Sequence, residues 1–118
     1  MKFDNNNVDN PEYFTTSTFN NVVRSQVGKF FILHENIRSF GRNFDQFNSF
    51  ASELSRAADI IVLSETWFSA KTCRDVRGYS GFHTHCADKS GGGGVSAFVR
   101  DCYTSTHVAN FSVCHEYY

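Results

Sequence analysis

Two short, continuous apolar runs stand out along the chain: Phe30-Phe31-Ile32-Leu33 and Ile60-Ile61-Val62-Leu63. Runs of this length without alternation predict strands buried on both faces. Between them Phe44, Phe47, Phe50, Ala51, Leu54 and Ala58 recur at spacings of three and four, which places them on one stripe of a helix. Asn43 followed by Gln46 has the spacing of a capping box, with Asn43 in place of the usual Ser or Thr. Strand, helix and strand over residues 28–64 predict a right-handed crossover joining two parallel strands. Parallel strands end on the same edge of a sheet. His34, Glu35 and Asn36 are therefore expected beside Ser64, Glu65 and Thr66, at the kind of edge where open sheets bind ligands.

On either side of this unit the texture differs. Residues 1–26 carry Asn5, Asn6, Asn7, Asn10, Asn20 and Asn21 among Ser and Thr, which reads as a flexible polar leader. After Trp67 the pattern changes to short stretches of strand character at Gly81–Ala87, Val95–Arg100, Tyr103–Val108 and Phe111–Tyr118. Gly91–Gly94 separates the first two. A glycine run can cradle phosphate when a helix follows, but Val95 to Val99 alternates like a strand, so a turn is expected there.

Composition narrows the function classes. A length of 118 residues holds one small core, and eleven basic against twelve acidic side chains give a net charge of -1. That balance supplies no global attraction to nucleic acid or membrane, so any such binding has to come from a local site. Arg38, Arg42 and Lys71 are placed to contact phosphate, but isolated cations are more often solvated, and they stay outside the expected site. No apolar run approaches the about 20 residues that span a bilayer, and the N-terminus lacks an apolar secretory core. The chain reads as intracellular, with no membrane partner.

Cys73, Cys86, Cys102 and Cys114 form no C-x-x-C pair. His83, His85, Cys86, Cys114 and His115 include the donor types of a zinc site, yet their spacing gives it no support; in a strand His83 and His85 share a face while Cys86 points away. No G-x-S-x-G elbow marks a hydrolase nucleophile.

Glu65 has two readings: a solvated carboxylate at a strand end, or a ligand for a hard divalent cation that prefers carboxylate oxygen, water and substrate phosphate. Asn36 is either a turn residue or an amide that bonds a phosphate oxygen or orients the carboxylate. At these residues a resemblance enters. Leu33-His34-Glu35-Asn36-Ile37-Arg38-Ser39, Asp59-Ile60-Ile61-Val62-Leu63-Ser64-Glu65-Thr66-Trp67, Gly78-Tyr79 and Gly92-Gly93-Gly94-Val95-Ser96-Ala97-Phe98-Val99 resemble, in order and spacing, the start of a DNase-like endonuclease/exonuclease/phosphatase domain. The likeness is strongest to the endonuclease domain of non-LTR (LINE-like) retrotransposon polyproteins, and it runs from about residue 28 to the C-terminus.

The resemblance implies an α/β (α+β) fold: the N-terminal half of a four-layer α/β/β/α sandwich, incomplete in this chain. It implies a DNA-nicking phosphodiesterase dependent on Mg2+ or Mn2+, in which Glu65 holds the metal and Asn36 helps to place the scissile phosphate. DNA is the implied partner of the complete protein, and a nuclear location follows from that role. The family's Asp-x-Asn pair, later Asp and catalytic His belong to the second half of the domain, and none of His34, His83, His85, His107 or His115 stands at the position of that His. The segment alone is therefore expected to be inactive, marginally stable and prone to self-association. The alternative is a non-catalytic transposon remnant that binds metal or nucleic acid at most weakly.

Overall fold

The computed structural model describes residues 13–67, 74–84 and 93–108. Their elements run α1 (Thr16–Ser25), β1 (Ile32–Asn36), α2 (Phe40–Ser52), β2 (Ile60–Ser64), β3 (Tyr79–Thr84) and β4 (Val95–Arg100). The fold is mixed α and β, with one open four-stranded sheet in the order β1-β2-β4-β3. The expected parallel pairing is present: β1 and β2, joined through α2, are parallel, with Ile32 opposite Ile60 and Asn36 opposite Ser64. β4 then pairs antiparallel with β2 on one side and with β3 on the other. Among the described residues no helix is long and apolar enough to cross a membrane.

The core lies on one face of this sheet. Phe40, Phe44 and Phe47 of α2 meet Ile61, Leu63 and Phe98, with Ile37, Ala58 and Val76 closing the cluster. The Phe40 ring stacks 4.8 Å from that of Phe44 and 6.2 Å from that of Phe98. Alternation along the strands sends Ile60, Val62, Ala97 and Val99 to the opposite face. There they are only half-buried, and Ile32 and Val95 are exposed.

Four sequence expectations need correction. Neither β1 nor β2 is buried on both faces: β1 is an edge strand with one neighbour, Phe30 and Ile32 of its run are exposed, and Ile60 and Val62 of β2 are only half-buried. Asn43 does not cap α2; Ser39 does, its Oγ accepting the Arg42 N–H at 3.3 Å. The helix also ends sooner than the apolar stripe implied, at Ser52, and Ala58 reaches the core from the loop beyond it. Tyr103–Val108 is not a strand, because Tyr103 turns back to bond Asp59.

The polar N-terminal stretch also holds structure. Thr15 and Thr18 form a reciprocal capping box that starts α1, and Val23 is buried. Phe19 packs its ring 6.2 Å from that of Phe31. Asn20 clamps the end of α2: its Nδ2 donates to Glu53 O at 2.9 Å and its Oδ1 accepts from Ser55 N at 2.8 Å. Residues 16–25 are thus a docked helix where a flexible leader was expected. The strand expected over 111–118 lies outside the described residues, as do Ala87 and the first two glycines of the run.

Candidate functional site

Three segments are tied together at the edge where β1 and β2 end. Ile37 N–H donates to Ser64 O at 3.0 Å, Ser39 N–H to Glu65 O at 2.8 Å and Phe40 N–H to Thr66 O at 2.7 Å. On the other side Thr66 N–H donates to Gly94 O at 3.2 Å and Trp67 N–H to Gly93 O at 2.9 Å. The loops after β1 and β2 and the turn before β4 therefore form one hydrogen-bonded rim.

This rim holds all four non-glycine residues with positive φ among the described residues: Arg38 at 48°, Ser39 at 94°, Glu65 at 56° and Trp67 at 47°. A left-handed conformation costs an L-residue about 1–2 kcal/mol, and such strain persists only where the surroundings over-determine it. Here they do. Asn43 Nδ2 donates to Ile37 O at 2.8 Å and to Arg38 O at 3.0 Å, holding the strained loop from inside α2. At Gly94, φ is +91° and an added Cβ would sit 2.6 Å from Thr66 Oγ1, so the third segment reaches the rim through glycine alone.

The two sequence-derived site residues stand on adjacent segments of this rim. Asn36 is the last residue of β1 and pairs in register with Ser64, the residue directly before Glu65. Asn36 is exposed and opens onto a groove of about 510 Å³ between β1 and α2, which Glu35, Arg38, Gln46, Phe47 and Phe50 also line. His34 and Glu35 lie within β1 rather than beyond it, and His34 Nε2 lies 3.2 Å from Ser64 Oγ. Glu65 is half-buried, and its Oε2 accepts the Trp67 indole N–H at 3.1 Å. Thr66 is fully buried, and its Oγ1 has no hydrogen-bond partner among the described residues.

The donor set fits a mostly hydrated hard cation. A single carboxylate, Glu65, matches the way Mg2+ binds, through one or two carboxylates with water and phosphate completing its octahedron. It does not fit a closed protein cage: among the described residues no three His, Cys, Asp or Glu side chains gather as a metal-binding group. The zinc candidates His85, Cys86, Cys114 and His115 lie outside the described residues. His83 sits inside the fold, its Nδ1 2.7 Å from the fully buried Ser96 Oγ and its ring edge-on to Phe98. Burial pushes the His83 pKa down, and Asp75 opposes the shift. Cys102 is a free, exposed thiol.

Sequence reasoning missed a buried charge, Asp59, at the opposite end of β2. Its carboxylate accepts from Phe31 N at 2.7 Å, Arg56 Nη2 at 2.8 Å and the Tyr103 hydroxyl at 2.8 Å. Burial pushes its pKa up, but the Phe31 N–H, Tyr103, Arg56 and Arg100 outweigh burial and hold it below the usual carboxylate range. A carboxylate so fully bonded is a structural hub, not a ligand site. Its position just ahead of an apolar strand was the only sequence clue.

No family model matches the chain, and neither a curated protein nor a solved structure matches it.

Proposed function

We propose that this chain is the front part of a metal-dependent DNA endonuclease domain of the DNase-like type, of non-LTR retrotransposon origin. The observation that carries this reading is that Asn36 and Glu65 stand on adjacent, hydrogen-bonded segments of one rim, which also collects the strained residues Arg38, Ser39, Glu65 and Trp67. Strain of this kind clusters at functional sites. The apolar face formed by Ile60, Val62, Ala97 and Val99 also supports the reading, because a sandwich half presents such a face to its second sheet.

In this role Glu65 holds the divalent cation and Asn36 bonds a non-bridging oxygen of the scissile phosphate. Mg2+ or Mn2+, when bound, stabilises charge on that phosphate. Asn36 would orient the phosphate toward the cation held by Glu65, and the strand pairing and rim hydrogen bonds tie the two segments' backbones together. The residues that activate water and protonate the leaving oxygen belong to the second half of such a domain. The location in this proposal is nuclear, where the DNA partner is.

A plasmid-nicking assay tests the reading. The 118-residue chain is expected not to nick supercoiled DNA in Mg2+, since one carboxylate leaves water unactivated. In a longer product that carries this segment with its downstream half, Glu65→Ala and Asn36→Ala should each lower turnover by about 100-fold or more while Tm stays near wild type. Unchanged turnover in both variants removes the site assignment. A longer product that never nicks favours the non-catalytic remnant.

A further inference from the structure

Trp67 is the chain's single tryptophan, and its placement is not explained by packing. It is 41% exposed and stands outside the core cluster. Its backbone is nonetheless pinned, by the bond from its N–H to Gly93 O and by a left-handed φ of 47°. The residue between it and Glu65, Thr66, is fully buried, so the two neighbours flank a fixed point. Within that strained arrangement the Trp67 indole N–H donates to Glu65 Oε2 at 3.1 Å.

We propose that Trp67 is a positioning residue for the cation: its indole N–H holds one carboxylate oxygen of Glu65, and thereby presents the other oxygen to the metal. The inference rests on the reading of Glu65 as a cation ligand. An indole nitrogen donates a hydrogen bond and cannot accept or coordinate, so it fixes a carboxylate without competing for the ion. With Oε2 held by the indole, Oε1 is the oxygen that would take the cation, which suits the reluctance of Mg2+ to give up its waters for an all-protein cage. It also removes rotamer freedom from a glutamate before binding rather than during it, which favours affinity.

The test uses the full 118-residue chain with Mn2+ as the probe, free Mn2+ being read from its electron paramagnetic resonance signal. Glu65→Gln should abolish binding. Trp67→Phe, which keeps a ring but loses the N–H, should weaken binding by about tenfold, the lower end of what removing a hydrogen-bond partner of a metal ligand does. Because the chain has one indole, bound Mn2+ should also quench tryptophan emission in the wild type and leave it unquenched in Glu65→Gln. Wild-type affinity in Trp67→Phe alongside lost binding in Glu65→Gln overturns the positioning role and leaves the ligand reading standing. Undetectable binding by the wild type, or unchanged binding by Glu65→Gln, overturns both. A measurement that needs no tryptophan substitution guards against misfolding of Trp67→Phe: the metal-free emission maximum should differ between wild type and Glu65→Ala. Identical maxima would mean that the two side chains do not touch, and would overturn the inference.

Discussion

Asp59→Ala is expected to destabilise the fold by about 3 kcal/mol, measured as the shift in urea midpoint at constant slope. Asp59 is 3% exposed and is the point where three parts of the chain converge. Its carboxylate takes the Phe31 N–H ahead of β1, the Arg56 guanidinium after α2 and the Tyr103 hydroxyl after β4. Its backbone adds bonds from Asp59 N–H to Phe31 O and from Arg100 N–H to Asp59 O. Alanine would leave the partly buried Phe31 N–H without its acceptor and take the counter-charge from the Arg56 guanidinium, which keeps its bonds to Gln26 O and Lys29 O, so the loss exceeds that of an ordinary hydrogen bond. The Arg56 and Arg100 side chains keep some contact with water, which holds the effect at the lower end of the range for broken buried pairs.

The same group sets an acid limb. Its folded-state pKa is depressed, so its contribution is complete above the unfolded value of about 3.9 and is lost as pH falls through the lower folded value. Asp59→Asn should flatten that part of the stability–pH curve. A loss below about 1 kcal/mol in Asp59→Ala, or an unchanged acid limb in Asp59→Asn, would mean that the hub does not hold these segments.

Gly94→Ala carries the second large effect, again about 3 kcal/mol, and bears on the candidate site directly. Two costs add. The backbone at φ +91° disfavours any L side chain, and the new Cβ would lie 2.6 Å from the buried Thr66 Oγ1 and 3.2 Å from Thr84 O. Neither neighbour yields easily, one being fully buried and the other a strand backbone. Gly93→Ala is the internal control. It shares a positive φ of +81° but meets nothing within 4 Å, so it should cost only the backbone strain of about 1 kcal/mol. Equal thermal shifts for the two variants would show that the close approach at Gly94 is not what holds the rim together.

The β1–α2–β2 unit was legible because its signals are local. Apolar runs and a spacing of three and four specify a crossover, and a crossover specifies which ends meet. That reasoning was enough to bring Asn36 beside Ser64 and Glu65. It could not show that β1 is an edge strand, since an apolar run looks the same whether one neighbour or two flank it. α1 was hidden by its polarity. Its helical character lies in Thr15 and Thr18 as a capping box and in Phe19 and Val23 four residues apart, too few apolar positions to stand out among asparagines.

The candidate site divides in the same way. The types and positions of Asn36 and Glu65 were readable, whereas the indole bond, the orphaned Thr66 hydroxyl and the φ values at Arg38, Ser39, Glu65 and Trp67 were not. Left-handed φ at non-glycine residues is imposed by tertiary contacts, so no sequence rule announces it. Asn43 is an intermediate case. Its amide was assigned to the start of α2, and it does serve that loop, but by donating to Ile37 O and Arg38 O from within the helix rather than by capping it.

The most direct test of the central claim is a paramagnetic map of the 118-residue chain, recorded as the loss of backbone amide signals on adding substoichiometric Mn2+. The account predicts broadening centred on Asn36 and on Ser64 to Trp67, fading along β1 and β2 toward Ile32 and Ile60, and abolished by Glu65→Gln. Broadening centred on another carboxylate, such as Asp45 or Asp75, or persisting in Glu65→Gln, would contradict it.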